Sequence, residues 1–232
     1  MSSSKKGFAI IAMIVGVIGI AIGVYTISAA SIKLSVSSVP SIETGKGKGF
    51  LSLTSNDYEI LGSSDAPITI IEFGDYQCPN CMRFAKEVKP LLVENYINLG
   101  KVKLVFKDFT IYGTDSISGA LATHCAAEQK RYWEMHDYIY ANQEAINSGW
   151  LRADNIKKFA YEIGLEIQQF SACFDERRYN EQVMKNFEDG KSVGVKGTPT
   201  FIIVNSSEET QVISGAQPFG VFKQVLDEML VR

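Results

Sequence analysis

Residues 68–81 read Ile-Thr-Ile-Ile-Glu-Phe-Gly-Asp-Tyr-Gln-Cys-Pro-Asn-Cys. The first six form a short apolar, β-branched run, the pattern of a buried strand. Pro79, with its fixed φ, suits the first position of a helix, and a helical pattern continues to about residue 97. Val102-Lys103-Leu104-Val105-Phe106 then repeats the strand pattern. Strand, helix, strand predicts a right-handed parallel crossover.

Working outward, Thr200-Phe201-Ile202-Ile203-Val204 and Thr210-Gln211-Val212-Ile213-Ser214 flank a polar loop at 205–209 and predict a hairpin. Pro218 opens a last helix to about residue 230. The order βαβ then ββα predicts an α/β fold of thioredoxin-like layout. Between the halves lie residues of helical character. Ile117, Ala120, Leu121, His124 and Cys125 share one face, and Ile156, Phe159, Ala160 and Ile163 another, with Gly164 placed as a C-cap. They predict a helical subdomain inserted at about 114–193.

Cys78-Pro79-Asn80-Cys81 places two thiols three residues apart at a strand-to-helix junction. Residues i and i+3 share a helix face, so the sulfurs can close a small ring. The helix N-terminus carries free N–H groups and partial positive charge, which favours thiolate at Cys78. Cys78 is the expected nucleophile and Cys81 the buried resolving thiol. The alternative, half of a zinc site, would want four ligands, and the sequence holds no second CxxC. Cys125 and Cys173, each on an apolar helix face, are expected to form a structural disulfide in an exported domain. Glu72 lies six residues before Cys78 in an apolar strand. A buried carboxylate is costly unless paired or protonated, so Glu72 is expected to accept the Cys81 proton through water, with Lys107 as candidate charge partner. His124 and His136 are read as core residues, and Asn205-Ser206-Ser207 fits a glycosylation sequon.

The N-terminus sets the compartment. Lys5 and Lys6 precede residues 7–32, which carry no charge. A helix needs about 20 apolar residues to cross a bilayer, and the basic flank stays in the cytoplasm. Residues 1–32 are therefore expected to be a cytoplasmic stub and single-pass anchor; a signal peptide cleaved near Ser28-Ala29-Ala30 is the competing reading. Either exports the rest. Residues 33–54 read as a flexible tether and 55–232 as the folded domain. Residues 1–49 carry five lysines and one acid, leaving 18 basic against 25 acidic side chains beyond them. So acidic a domain is a poor nucleic-acid binder.

Glu72 to Cys81, EFGDYQCPNC, with Gly197-Thr198-Pro199-Thr200-Phe201 downstream, resembles the DsbA-like branch of the thioredoxin superfamily. The stretches at 124–129 (HCAAEQ) and 132–137 (YWEMHD) add to it, and the likeness covers about residues 55 to 231. The resemblance implies a cis-proline at Pro199 facing the active site, with Thr198 and Pro199 contacting substrate, and disulfide exchange on protein thiols. It implies no organic cofactor and no metal. A membrane redox partner of DsbB or vitamin K epoxide reductase type would reset the pair. One departure stands out: DsbA has His where this chain has Asn80, and a neutral amide lends the thiolate no imidazolium charge. Oxidase is the first expectation; isomerase, reductase or a zinc-chelating thiol protein are the alternatives.

Overall fold

The computed structural model describes Leu53 and residues 60–231. The anticipated anchor, and the tether apart from Leu53, lie outside the described residues. Among the described residues no helix is long and apolar enough to cross a membrane. Leu53 itself is buried against Ile71, Phe73 and Phe109, so the chain already packs on the sheet just ahead of residue 55.

Five strands make one mixed sheet in the order β1-β3-β2-β4-β5. β2 (Ile68–Gly74) and β3 (Val102–Asp108) run parallel. β4 (Thr200–Asn205) pairs antiparallel with β2, and β5 (Thr210–Ser214) antiparallel with β4. Every residue of β2 is buried, because it lies mid-sheet with both faces covered; hence its nearly unbroken apolar run. β1 (Ile60–Leu61) pairs antiparallel with β3. Two residues are too few to carry a readable period. At the β4–β5 turn, Asn205 is buried. Its Oδ1 accepts the N–H groups of Ser207 and Glu209, both at 3.0 Å, and its Nδ2 donates to Glu209. The sequon amide is committed to the turn and is not displayed for a glycan.

The helical run after β2 is not uniform. α1 (Pro79–Arg83) and α2 (Lys89–Leu92) are joined by a π-helical turn at Phe84–Val88, and a second π-turn at Val93–Ile97 ends the run. Pro90 sits in the first turn of α2. It has no N–H and would crowd the carbonyl four residues back in a regular helix, and a widened turn relieves that crowding. Alternation along β2 sends Ile68, Ile70 and Glu72 toward this run and α8 (Phe219–Leu230), and Ile71 and Phe73 to the opposite face.

Between β3 and β4 come α3 (Thr114–Ala127), α4 (Tyr132–Ala141), α5 (Ala153–Glu162), α6 (Ile167–Asp175) and α7 (Asn180–Ser192). Their apolar faces form a core that is continuous with Tyr76, Cys78, Cys81 and Phe106. A Cβ on Gly119 of α3 would stand 2.9 Å from that of Tyr76. Glycine is what lets α3 lie directly on the segment leading to Cys78.

Candidate functional site

Cys78 is the N-cap of α1, extended at φ −75°, with Pro79 as the first helical residue. Its N–H donates to the Asp75 carbonyl (2.9 Å), and its carbonyl accepts from the N–H of Met82 (3.1 Å). The thiol donates to the Thr198 carbonyl at 3.3 Å. Cys78 is 2% exposed and Cys81 fully buried, and both are free thiols. The pair nevertheless titrates far apart. The hydrogen bond from Cys81 is the main cause that lowers Cys78 from 9.0 to about 6. Burial opposes it, while the Thr198 side chain and the N–H groups of Cys81 and Asn80 add to the lowering. The Thr198 hydroxyl is buried and has no other partner, so the thiolate is the group it can serve. Burial, then the same hydrogen bond, pushes Cys81 well up. At neutral pH this is a thiolate nucleophile over a protonated resolving thiol, the asymmetry that disulfide exchange uses.

The Thr198–Pro199 peptide is cis. Pro199 lies immediately before β4, where its carbonyl accepts from the Gly215 N–H at 2.8 Å. Beside it opens a cavity of about 500 Å³, lined by residues 194–200 with Ser214 and Gly215. A substrate chain seated there would pass Thr198 next to the Cys78 sulfur.

Glu72 is fully buried, and neither carboxyl oxygen has a hydrogen-bond partner. Burial drives its pKa well above the carboxylate range; Lys89 opposes the shift and Cys78 adds to it. The charge partner expected from the sequence is not the one found. Glu72 is in register with Phe106 and Phe73 with Lys107, so alternation puts Lys107 on the other face of the sheet. There its ammonium bonds Asp189 of α7 at 2.6 Å and the Leu53 carbonyl at 3.3 Å. Lys89 of α2 is the cation on the Glu72 side. It is 5% exposed, bonded to Asp137 and 5.0 Å from the Trp133 ring centre. Nothing in the spacing of Lys89 marks it, because the π-turn before α2 shifts which residues face inward.

Asp75 was missed as well. Its side chain accepts from the Gln77 N–H (2.8 Å), the Ser116 hydroxyl (2.7 Å) and the N–H groups of Ile111 (2.7 Å) and Tyr112 (3.2 Å). Gln143, just past α4, donates to the carbonyls of Tyr76 (2.8 Å) and Cys78 (3.2 Å), and the Tyr140 hydroxyl donates to the Asp75 carbonyl. The helical insert thus holds the four residues that deliver the nucleophile. An Asp at a strand end two residues before a free N–H is a turn-former's signature; it was the available signal.

Cys125 of α3 and Cys173 of α6 are joined in a disulfide with Cα atoms 5.8 Å apart, within the usual range. His124 bonds Asp108 at 2.8 Å and stacks on Tyr179. His136 is fully buried, with Nδ1 2.7 Å from Asp137. No group of three or more His, Cys, Asp or Glu suited to a metal occurs among the described residues.

The family model described as "Thioredoxin" matches residues 54–225. The probable disulfide bond formation protein D of Bacillus cereus is 31% identical over 166 residues, 70% of this chain and 77% of that protein. Disulfide bond formation protein D of Bacillus subtilis is 26% identical over 74% of this chain and 76% of its own. The crystal structure of oxidised BdbD from Bacillus subtilis superimposes with a TM-score of 0.69 at 24% identity, covering 75% of this chain and 94% of that one. With the thiol pair, the cis-proline loop and the inserted helices in place, the chain belongs to the DsbA-like thiol–disulfide oxidoreductases of the thioredoxin superfamily.

Proposed function

We propose that this oxidoreductase works as an oxidase, passing its Cys78–Cys81 disulfide to exported protein thiols from a membrane-tethered position outside the cytoplasm. The observation that carries the direction is the placing of Cys78 at the N-cap of α1, where the Cys81 thiol, the Thr198 side chain and the N–H groups of Cys81 and Asn80 all favour its thiolate. Stabilising the reduced thiolate makes the disulfide the stronger oxidant. A substrate thiolate attacks Cys78 Sγ, the Cys78–Cys81 bond breaks, and Cys81 leaves as a thiolate that takes a proton from Glu72. A second substrate thiol then displaces Cys78 and closes the substrate disulfide. Thr198 and Pro199 guide the extended chain past the sulfur by strand-like pairing.

The Cys125–Cys173 disulfide supports export, since such bonds persist in oxidising compartments, and the uncharged stretch at 7–32 supplies the signal and anchor. A quinone-linked membrane protein of DsbB or vitamin K epoxide reductase type would accept the electrons. Equilibration in glutathione buffers tests the direction. The expected potential lies between about −180 and −120 mV, the range of oxidising members of the superfamily. A value near about −270 mV, that of thioredoxin, would make it a reductase. Retention of the full-length protein in membranes after a carbonate wash tests the tether.

A further inference from the structure

Glu72 presents a difficulty that its role as proton partner of Cys81 does not remove. It is fully buried, as is Cys81. Each half of a redox cycle moves one proton between them, so Glu72 must exchange with solvent by some path. Both Glu72 carboxyl oxygens, His136 Nε2 and Trp133 Nε1 are among the buried polar atoms that lack a hydrogen-bond partner in the described residues, as is Asp108 Oδ1 on the same face of the sheet. Buried polar atoms in folded proteins are satisfied by protein or by ordered water.

The Glu72, His136 and Trp133 atoms gather about one ring. A Cβ placed on Gly74 would stand 2.4 Å and 2.6 Å from Phe106 ring atoms and 3.4 Å from Glu72 Oε1, so the carboxyl lies at the Phe106 edge. The His136 ring meets the same Phe106 ring edge-on, 5.0 Å between centres, and Trp133 lies 4.9 Å from His136. On its other side His136 Nδ1 reaches Asp137 Oδ1 at 2.7 Å, and the Asp137 side chain is 54% exposed. Lys89 bonds the same Asp137 oxygen.

We infer that His136 and Asp137 are the proton exit of Glu72, joined to it by a buried water between the carboxyl group and His136 Nε2. Both act through Glu72 and are positioning residues. The protonation states fit. Burial and then Lys89 push His136 down to about 4, so the ring is neutral. Burial works against Asp137, but the His136 ring and Lys89 hold it below its ordinary value. A carboxylate only accepts; Nδ1 therefore carries the ring proton and Nε2 is an acceptor aimed inward.

Protons balance over one cycle. On reoxidation, Glu72 gives its proton through water to His136 Nε2 while Nδ1 releases one to Asp137 and thence to solvent. Glu72, now a carboxylate, takes the Cys81 proton. The Cys81 thiolate attacks Cys78 Sγ of the mixed disulfide, the Cys78–partner bond breaks, and the partner leaves as a thiolate with the electron pair. On substrate oxidation the protons run inward: Glu72 protonates the leaving Cys81, His136 Nε2–H restores Glu72, and Asp137 returns a proton to Nδ1. The ring alternates between its two neutral tautomers.

This rests on Glu72 serving Cys81, and the test separates the two ideas. Reduced full-length protein is mixed with oxidised glutathione, and the Cys78–glutathione mixed disulfide and its resolution by Cys81 are followed by rapid acid quench and mass spectrometry. Asp137→Asn, at a half-exposed side chain, should slow resolution by about 100-fold, the lower end of what a positioned acid–base group contributes, with iodoacetamide reacting at Cys78 as fast as before. Lys89→Met/Asp137→Asn should stay slow. Resolution within about twofold of wild type in Asp137→Asn would overturn the exit, judged against that same acid–base range. So would recovery in the double variant, since Asp137 would then act merely by masking Lys89. An equal loss in Cys78 alkylation would show a structural effect and overturn it too. If Glu72→Gln leaves resolution unchanged, the role of Glu72 fails; if Glu72→Gln is slow and Asp137→Asn is not, the exit alone fails.

Discussion

The two cysteine pairs are equally hidden, yet one is a reagent and the other a brace. Cys125 and Cys173 lie on two helices, 48 positions apart, surrounded by apolar side chains. Cys78 and Cys81 share that core cluster, and Cys78 is almost as inaccessible as they are. What differs is polarity at short range. Cys78 has backbone N–H groups at a helix start, the Thr198 side chain and a partner thiol. Reactivity here follows from who donates to the sulfur rather than from how much of it meets solvent.

The sharpest way to break that contrast is to exchange sulfur for oxygen in each pair in turn. Cys78→Ser should abolish disulfide exchange, since no other thiolate is available to attack. Cys125→Ser/Cys173→Ser should leave exchange by Cys78 largely intact. It should lower stability instead, by about 2–4 kcal/mol for a typical bridge and less where the reduced chain keeps structure. Urea melts of both variants, with insulin-type exchange assays alongside, check the split. Loss of exchange in the double variant would mean that the brace holds the reagent in place.

The pH dependence sharpens the comparison further. Iodoacetamide should modify Cys78 with a rate that rises through about pH 6, while Cys81 stays silent to far higher pH. The sign for stability follows. A thiol lowered from 9.0 to about 6 stabilises the folded reduced protein fully above 9.0, and that contribution is lost as pH falls through about 6. Equal alkylation of Cys78 and Cys81 would defeat the assignment.

What the sequence made legible, and what it did not, divides along a physical line. Strands β2 to β5 and helices α3 and α5 announce themselves by apolar period, and Cys78-Pro79-Asn80-Cys81 by spacing, because these signals are local. Lys107 misled for an equally local reason. It lies near the end of the strand beside Glu72, but parallel register pairs Glu72 with Phe106 and turns Lys107 to the far face. Lys89 escaped notice because a π-turn breaks the helical period ahead of it. Beyond the local Asp75–Gln77 turn, the Asp75 and Gln143 contacts join residues 36 to 67 positions apart, a separation at which no pattern in one chain speaks.

The smallest effect probes whether the insert merely holds the nucleophile or also tunes it. Gln143 donates to the carbonyls of Tyr76 and Cys78, but it is not among the groups that lower the Cys78 thiol. In Gln143→Leu two carbonyl acceptors lose a partner. The Cys78 carbonyl keeps the Met82 N–H, so the loss falls mainly on Tyr76. A net hydrogen bond is worth about 0.5–1.5 kcal/mol, and one to two of them sets the expected destabilisation at about 1–2 kcal/mol in a urea melt. The thiolate absorbance of reduced Gln143→Leu should still titrate with a midpoint of about 6, as in the parent. A melt shifted by that amount with an unmoved midpoint makes the insert a scaffold. A midpoint moving toward 9.0 would show that the insert reaches the sulfur through the Cys78 peptide, and that reagent and scaffold cannot be separated.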